Sequence, residues 1–151
     1  MSICVITGGT TGIGAEARAL LQQQGHEVLN IDYKGGDILA DLSSKEGREL
    51  AIKAVQERYP DGIDILICNG VGPTAPPRMI FALNFFACVD LAEGLRPLLK
   101  KKRGNCVITS SNSITNMTVR MDWVDMLSNV MDENRVLEYA DTIPKNLTPS
   151  C

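Results

Sequence analysis

The octapeptide TGGTTGIG, Thr7 to Gly14, places four glycines and three threonines between the apolar run ICVI and the helix-forming stretch AEARALLQQQG. Glycine loses more backbone freedom on folding than any other residue. So glycine-rich a segment therefore needs a turn that other residues cannot make, or a ligand that must touch the main chain. On its N-terminal side, Ile3–Thr7 is a β-branched run ending at glycine, the pattern of a buried strand. On its C-terminal side, Gly12 to Gln24 reads as a helix, with Ile13, Ala17, Leu20 and Leu21 on one side and Gly25 past its end.

The same alternation continues along the chain. EVLNID (Glu27–Asp32) is a second strand and Asp37–Ala40 a short third one; Ser44 then precedes a helix that runs to about Tyr59 and stops at Pro60, Asp61 and Gly62. Ile63–Cys68 is a fully apolar fourth strand ending in NGVGP. A long helix over roughly Met79 to Lys102, carrying Asn84 and Pro97, leads to a fifth strand, Asn105–Ser111. Apolar strands alternating with helices predict a parallel sheet covered on both faces. Its expected order is 3-2-1-4-5, with a crevice at the carboxyl ends of the first and fourth strands. Thr7–Gly8 and Asn69–Gly70 would both face that crevice. After Asn112 the sequence is amphipathic and helix-compatible, and no further strand follows.

Bulk properties exclude several classes. The 151 residues are 44% hydrophobic and 22% charged with a net charge of −3, an ordinary balance with no electrostatic case for nucleic acid or an anionic membrane surface. The basic run Lys100–Arg103 sits where a helix C-terminus favours positive charge. The five cysteines (Cys4, Cys68, Cys88, Cys106, Cys151) show no C-x-x-C pair and no metal-ligand spacing. Cys4, Cys68 and Cys106 lie in β-branched runs, where cysteine acts as a small buried hydrophobe, and this usage points to a reducing, cytoplasmic setting. His26, the single histidine, reads as a turn residue. The first residues lack a basic n-region, and no stretch is long and apolar enough to span a membrane.

The glycines fall as T-G-x-x-x-G-x-G, at Gly8, Gly12 and Gly14. Gly8 permits the sharp exit from the strand, Gly12 lets the backbone approach a pyrophosphate, and Gly14 allows close helix–strand packing. The helix start supplies amide dipoles to the phosphates. Asp32 ends the second strand eighteen residues beyond Gly14, close to the interval at which an acid receives the adenosine ribose hydroxyls. A carboxylate there repels a 2′-phosphate, which favours NAD over NADP. Lys34 argues the other way, but no basic residue occurs within the glycine loop.

With these residues in place, the sequence resembles the short-chain dehydrogenase/reductases, whose nucleotide signature is T-G-x-x-x-G-I-G. Its wording is most similar to the 3α-hydroxysteroid dehydrogenase/carbonyl reductase branch, over residues 1 to about 111. The resemblance implies a Rossmann-type core at 1–111 and a helical insertion-like segment of the same domain at 112–151. It implies cofactor contacts from Gly8, Thr10, Thr11, Gly12, Ile13, Gly14 and Asp32, from Asp41 and Leu42 at the adenine, and from Asn69 and Gly70. In that last cluster CNG replaces the family's usual N-N-A-G or N-A-G. Asn84 matches the family's helix asparagine, which helps hold a proton-relay water. Ser110 matches the catalytic serine, with Ser111 as the neighbouring alternative. The implied activity is hydride transfer between NAD(H) and a small secondary alcohol or ketone, plausibly a steroid or another apolar carbonyl, in a homo-oligomer. The extended epimerase branch, with T-G-x-x-G-x-x-G, does not fit the glycine spacing.

The family's chemistry also needs a tyrosine and lysine as Y-x-x-x-K, the tyrosine handling the proton and the lysine lowering its pKa. Thirteen residues after Ser110 stands Trp123, and the later Tyr139 is followed by a lysine only at Lys145, six residues on and beyond Pro144. A spacing of six puts two side chains on different helix faces, so this pair is rejected. Two expectations follow. The chain is an amino-terminal portion of a longer oxidoreductase, or it is a module that binds nucleotide without turnover. Met117, Met121, Met126 and Met131 could line an apolar pocket, but core or interface packing explains them better. If nothing pairs with the fifth strand, its edge needs covering by a partner, a symmetry mate or the Asn112–Tyr139 helices.

Overall fold

A computed structural model describes residues 1–70, 75–110, 121–129 and 132–144. Five parallel strands, β1 (Ile3–Thr7), β2 (Glu27–Asp32), β3 (Ile38–Leu39), β4 (Ile65–Cys68) and β5 (Asn105–Ile108), form one sheet in the order β3-β2-β1-β4-β5. The chain reverses its direction of travel across the sheet between β1 and β4, which fixes the crevice at their carboxyl ends. Helices α1 (Gly12–Gln23) and α2 (Lys45–Arg58) follow β1 and β3. β1 pairs with β2 from Ile3↔Glu27 to Thr7↔Ile31, and with β4 from Cys4↔Ile65 to Ile6↔Ile67.

The main core lies between the sheet and two helices, α2 and the one over Ala87–Lys102. Val5, Leu29, Ile31, Leu66, Ala51, Val55, Leu91 and Leu95 are essentially inaccessible in it. Each large aliphatic buried this way contributes about 1.5–3 kcal/mol of transfer free energy. Cys4, Ile6 and Val28 face the other side of the sheet, against Ala17 and Leu21 of α1. Ile13 and Leu20, expected on that inward stripe, are 75% and 55% exposed. The inward face of α1 carries buried Gly14 with the partly buried Ala17 and Leu21. Ile13 stands instead in the helix's first turn, beside the glycine loop.

The long helix expected from Met79 begins earlier and is not uniform. It consists of α3 (Pro77–Phe81), a π-helical turn (Ala82–Phe86) and α4 (Ala87–Lys102). Proline at the first helical position explains the early start, since its missing N–H would be unpaired there in any case. The Lys100–Arg103 run closes α4, as helix-end electrostatics anticipated; Lys101 Nζ donates to the Pro60 carbonyl at 2.6 Å. β4 starts at Ile65, not Ile63; the Ile63 N–H donates instead to the Leu98 carbonyl of α4 at 3.3 Å, after Gly62 turns the chain with φ +112°.

The carboxy-terminal part departs furthest from expectation. Helices α5 (Met121–Asn129) and α6 (Glu133–Asp141) do not cover β5. Trp123, Met126, Leu127, Val136, Leu137, Tyr139 and Ala140 pack on Phe81, Ala82, Phe85 and Phe86 and make a second, aromatic core. All four residues of β5 stay exposed, with Val107 at 50% and Ile108 at 52%. Cys106, expected to be buried, is exposed for the same reason. A strand at the sheet edge is buried only by what lies beside it. Met126 joins the aromatic core and Met121 is exposed, while Met117, Met131 and Lys145 lie outside the described residues.

Candidate dinucleotide site

The site grows from three buried polar side chains. Among the described residues, the buried polar or charged ones are Thr7, Asn30 and Arg48. Each is hydrogen-bonded, as buried polar groups must be. Thr7 Oγ1 accepts from the Asn69 N–H at 2.9 Å and donates to the Asn69 carbonyl at 3.1 Å, tying the ends of β1 and β4 together. Gly8 then leaves the strand at φ +66° and Gly12 opens α1 at φ +56°, a left-handed region costly for other residues. A Cβ on Gly14 would collide with the Gly8 carbonyl, so the start of α1 presses directly on the loop. The Asn69 side chain lies against Gly8 and Gly14.

The start of α1 is open. Thr11, its N-cap, accepts no hydrogen bond through its side chain, and the first turn has no acidic residue. Nothing lies within 4 Å of where a Cβ on Gly12 would point. Backbone N–H groups with no partner of their own, at the positive end of a helix dipole, make a ready site for an anion. Thr10, Thr11, Gly12 and Ile13 are all exposed around it.

Asp32 stands across the loop, half-buried. Its Oδ2 accepts from the Thr10 N–H at 3.3 Å and its Oδ1 from the Lys34 N–H at 3.5 Å. The second of these is a marginal bond, and the carboxylate keeps acceptor capacity for a further donor. Asp41 Oδ1 accepts from Ser43 Oγ at 2.6 Å and from the Ser43 N–H at 3.0 Å. Leu42 is buried in the main core with its carbonyl held by Arg48 Nη1 at 3.2 Å. Held in this way, it anchors the neighbouring Asp41.

Arg48 itself is a node that sequence reasoning missed. Its side chain is fully buried; Nε donates to Asp90 Oδ2 at 2.7 Å and Nη2 pairs with Glu133. It joins α2, the loop after β3, α4 and α6 through partners up to 85 residues away, and no local pattern announces that.

On the other side of the crevice, Asn84 occupies the middle of the π-helical turn, and its side chain lies against Gly70, where any Cβ would collide with it. π-turns inside α-helices often mark functional positions. Thr109 N–H donates to the Cys68 carbonyl at 2.9 Å, continuing the Cys68↔Ile108 register, so exposed Ser110 emerges at the level of Gly70. Ser111 lies outside the described residues. Tyr139 belongs to a different place: its hydroxyl donates to Asp122 Oδ2 at 3.0 Å and accepts from Trp123 Nε1 at 3.2 Å, within the α5–α6 pair. Cys68, beside Asn69, is buried, and hydrogen bonding with Cys88 together with burial pushes its thiol up. Among the described residues no cluster of His, Cys, Asp or Glu could hold a metal ion, and no helix is long and apolar enough to cross a membrane.

No family model matches the chain. It is 40% identical over 103 residues to a 3-alpha-hydroxysteroid dehydrogenase/carbonyl reductase of Comamonas testosteroni, covering 67% of this chain and 40% of that protein. It is 31% identical over 116 residues to a coniferyl-alcohol dehydrogenase of a Pseudomonas species, covering 72% of this chain and 43% of the relative. The chain thus spans less than half the length of either. Among solved structures, the 3-alpha-hydroxysteroid dehydrogenase of Pseudomonas sp. B-0831 complexed with NADH superposes with a TM-score of 0.85 at 37% identity, over 93% of this chain and 56% of that one. By sequence and by its Rossmann-type sheet, the chain is a homologue of the short-chain dehydrogenase/reductases over the part it spans.

Proposed function

We propose that this chain is the dinucleotide-binding part of an NAD-dependent oxidoreductase that interconverts a small secondary alcohol and a ketone. The observation that carries the reading is the open start of α1, with its unpaired N–H groups and no acid, facing the Asp32 carboxylate across the glycine loop. These residues suit a pyrophosphate beside an adenosine ribose. The loop residues Gly8, Thr10, Thr11, Gly12, Ile13 and Gly14 would receive the phosphates and Asp32 the ribose hydroxyls. Asp41 with Leu42 would border the adenine, and Asn69 with Gly70 would complete the crevice. When bound, NAD supplies a hydride acceptor. Asn84 would hold a water for proton transfer and Ser110 would hydrogen-bond the substrate oxygen. The names of the relatives support a steroid or another apolar carbonyl as substrate. A homo-oligomer is part of the same proposal. So is a cytoplasmic setting, in keeping with the free thiols of Cys4, Cys68, Cys88 and Cys106.

A second reading, nucleotide binding without turnover, is favoured by one specific observation. The Tyr139 hydroxyl is engaged within the α5–α6 pair, with Asp122 and Trp123 as its partners. Fluorescence titration tests the shared core of both. NADH should bind more tightly than NADPH, and Asp32→Ala should weaken NADH about tenfold while narrowing that preference. Unchanged affinity and selectivity would mean that Asp32 does not face a ribose. Assay of the same chain on secondary alcohols should show binding without turnover. Measurable turnover would show that residues of this chain replace the tyrosine–lysine pair.

A further inference from the structure

Asn30 lies two residues before Asp32 on β2, so the two side chains leave the same face of the strand, the face that the glycine loop crosses. It is completely buried, and the nucleotide reading gives it no part. Its Oδ1 accepts from the Gly9 N–H at 2.8 Å; its Nδ2 donates to Thr10 Oγ1 at 3.1 Å, which in turn donates to the Lys34 carbonyl at 3.1 Å. An N–H only donates and a carbonyl only accepts, so the direction of this chain of bonds is set from both ends. The strand beneath is fixed as well. Asn30 N–H donates to Asp37 Oδ2 at 2.8 Å and its carbonyl accepts from Asp37 N–H at 2.8 Å, while Asp37 pairs with Arg18 of α1 at 3.2 Å. The match is mutual: a Cβ on Gly9 would stand 2.6 Å from Asn30 Oδ1.

We propose that Asn30 is a positioning residue of the dinucleotide site. Its buried amide straps the glycine loop to β2 before any ligand arrives, and it aims the Thr10 N–H at Asp32 and the open start of α1 at the crevice. A loop with four glycines would otherwise carry its ordering entropy into the binding step. This role rests on the reading of the loop as a nucleotide cradle.

The test uses the 151-residue chain with Asn30→Ala, Gly9→Ala and the double variant. It measures NADH affinity by fluorescence and hydrogen exchange of the Gly9 amide without ligand. Each single change should weaken NADH about tenfold, the first by freeing the loop and the second by forcing a side chain against Asn30. The double variant should lose clearly less than the product of the single losses, because Asn30 Oδ1 and Cγ no longer meet the new methyl and Ile6 Cγ2, 3.0 Å away, is its remaining close neighbour; independent effects would multiply to about a hundredfold. Exchange at Gly9 should quicken in Asn30→Ala. Thr10→Val, at an exposed position, cuts the outer end of the same strap should Asn30→Ala fail to fold, and should weaken NADH about threefold and quicken Gly9 exchange. Unchanged Gly9 exchange, or losses that multiply, overturns the strap. If the unmutated chain binds no NADH, the cradle reading falls and takes the role with it. If Asp32→Ala weakens NADH and Asn30→Ala does not, only Asn30 is wrongly assigned.

Discussion

Helices α1 and α2 each begin after the carboxyl end of a parallel strand, and their first turns are built on opposite terms. α2 is closed by its own side chains. Ser44 Oγ accepts from the Gly47 N–H at 3.1 Å, Glu46 stands in the first turn, and Arg48 is buried between two carboxylates. α1 has a threonine at the same position that makes no such bond, no acid in its first turn, and glycines at either end of that turn. The closed end adds stability, and the open end leaves backbone donors for something else. The difference between a structural and a binding helix start is thus one of omission, visible only when both are set side by side.

Four changes would break or sharpen that contrast. The largest effect is expected at the closed end. Arg48→Met strips both carboxylates of their partner and should lower unfolding free energy by about 3 kcal/mol, near the low end for such pairs because Asp90 is 40% exposed. Chemical denaturation measures it as a fall in midpoint. At the open end, Gly14→Ala drives a methyl into the Gly8 carbonyl and should cost about a hundredfold, roughly 2.7 kcal/mol, in NADH affinity by titration. Thr11→Asp would close α1 with a charge of its own. It should weaken NADH about tenfold by repelling the phosphates and raise the thermal midpoint slightly, about 0.5 kcal/mol of stabilisation at the helix dipole. A stabilised variant that binds NADH as before would show that no anion sits there. The smallest change, Ser44→Ala, should cost about 1 kcal/mol of stability and leave the titration untouched.

Much of the fold was legible because its elements are local. β1 and β2 have the bounds that their β-branched runs predict, Ser44 caps α2, and the order 3-2-1-4-5 follows from strand–helix alternation. What escaped depends on distant partners. Asn30 and Arg48 are polar residues in apolar surroundings, and their burial follows from a loop curling over β2 and from Glu133 on α6. A cue was present for Asn30, since it shares a strand face with Asp32. Cys106 was expected to be buried because an apolar strand at the edge of a sheet looks like one at its centre, although the edge position of β5 itself followed from the predicted order. The candidate site residues around the glycine loop were named from spacing, and the fold brings them to the carboxyl ends of β1 and β4; Leu42, named with Asp41, is buried in the main core.

The π-helical turn at Ala82–Phe86 has a consequence for how this helix can change. A π-turn holds one residue more than an α-helix needs, and that residue shifts the phase of everything after it by about 100°. Before and within it, Phe81, Ala82, Phe85 and Phe86 serve the aromatic core; after it, Ala87, Cys88, Leu91 and Leu95 serve the sheet. The extra residue lets one continuous rod address two cores that do not lie on a single stripe. A one-residue deletion between Ala82 and Phe86 would rotate one core out of register with the other. Asn84, seated against Gly70 in the same turn, would lose its aim in the same step. Length is therefore constrained in this stretch together with the identity of its buried side chains.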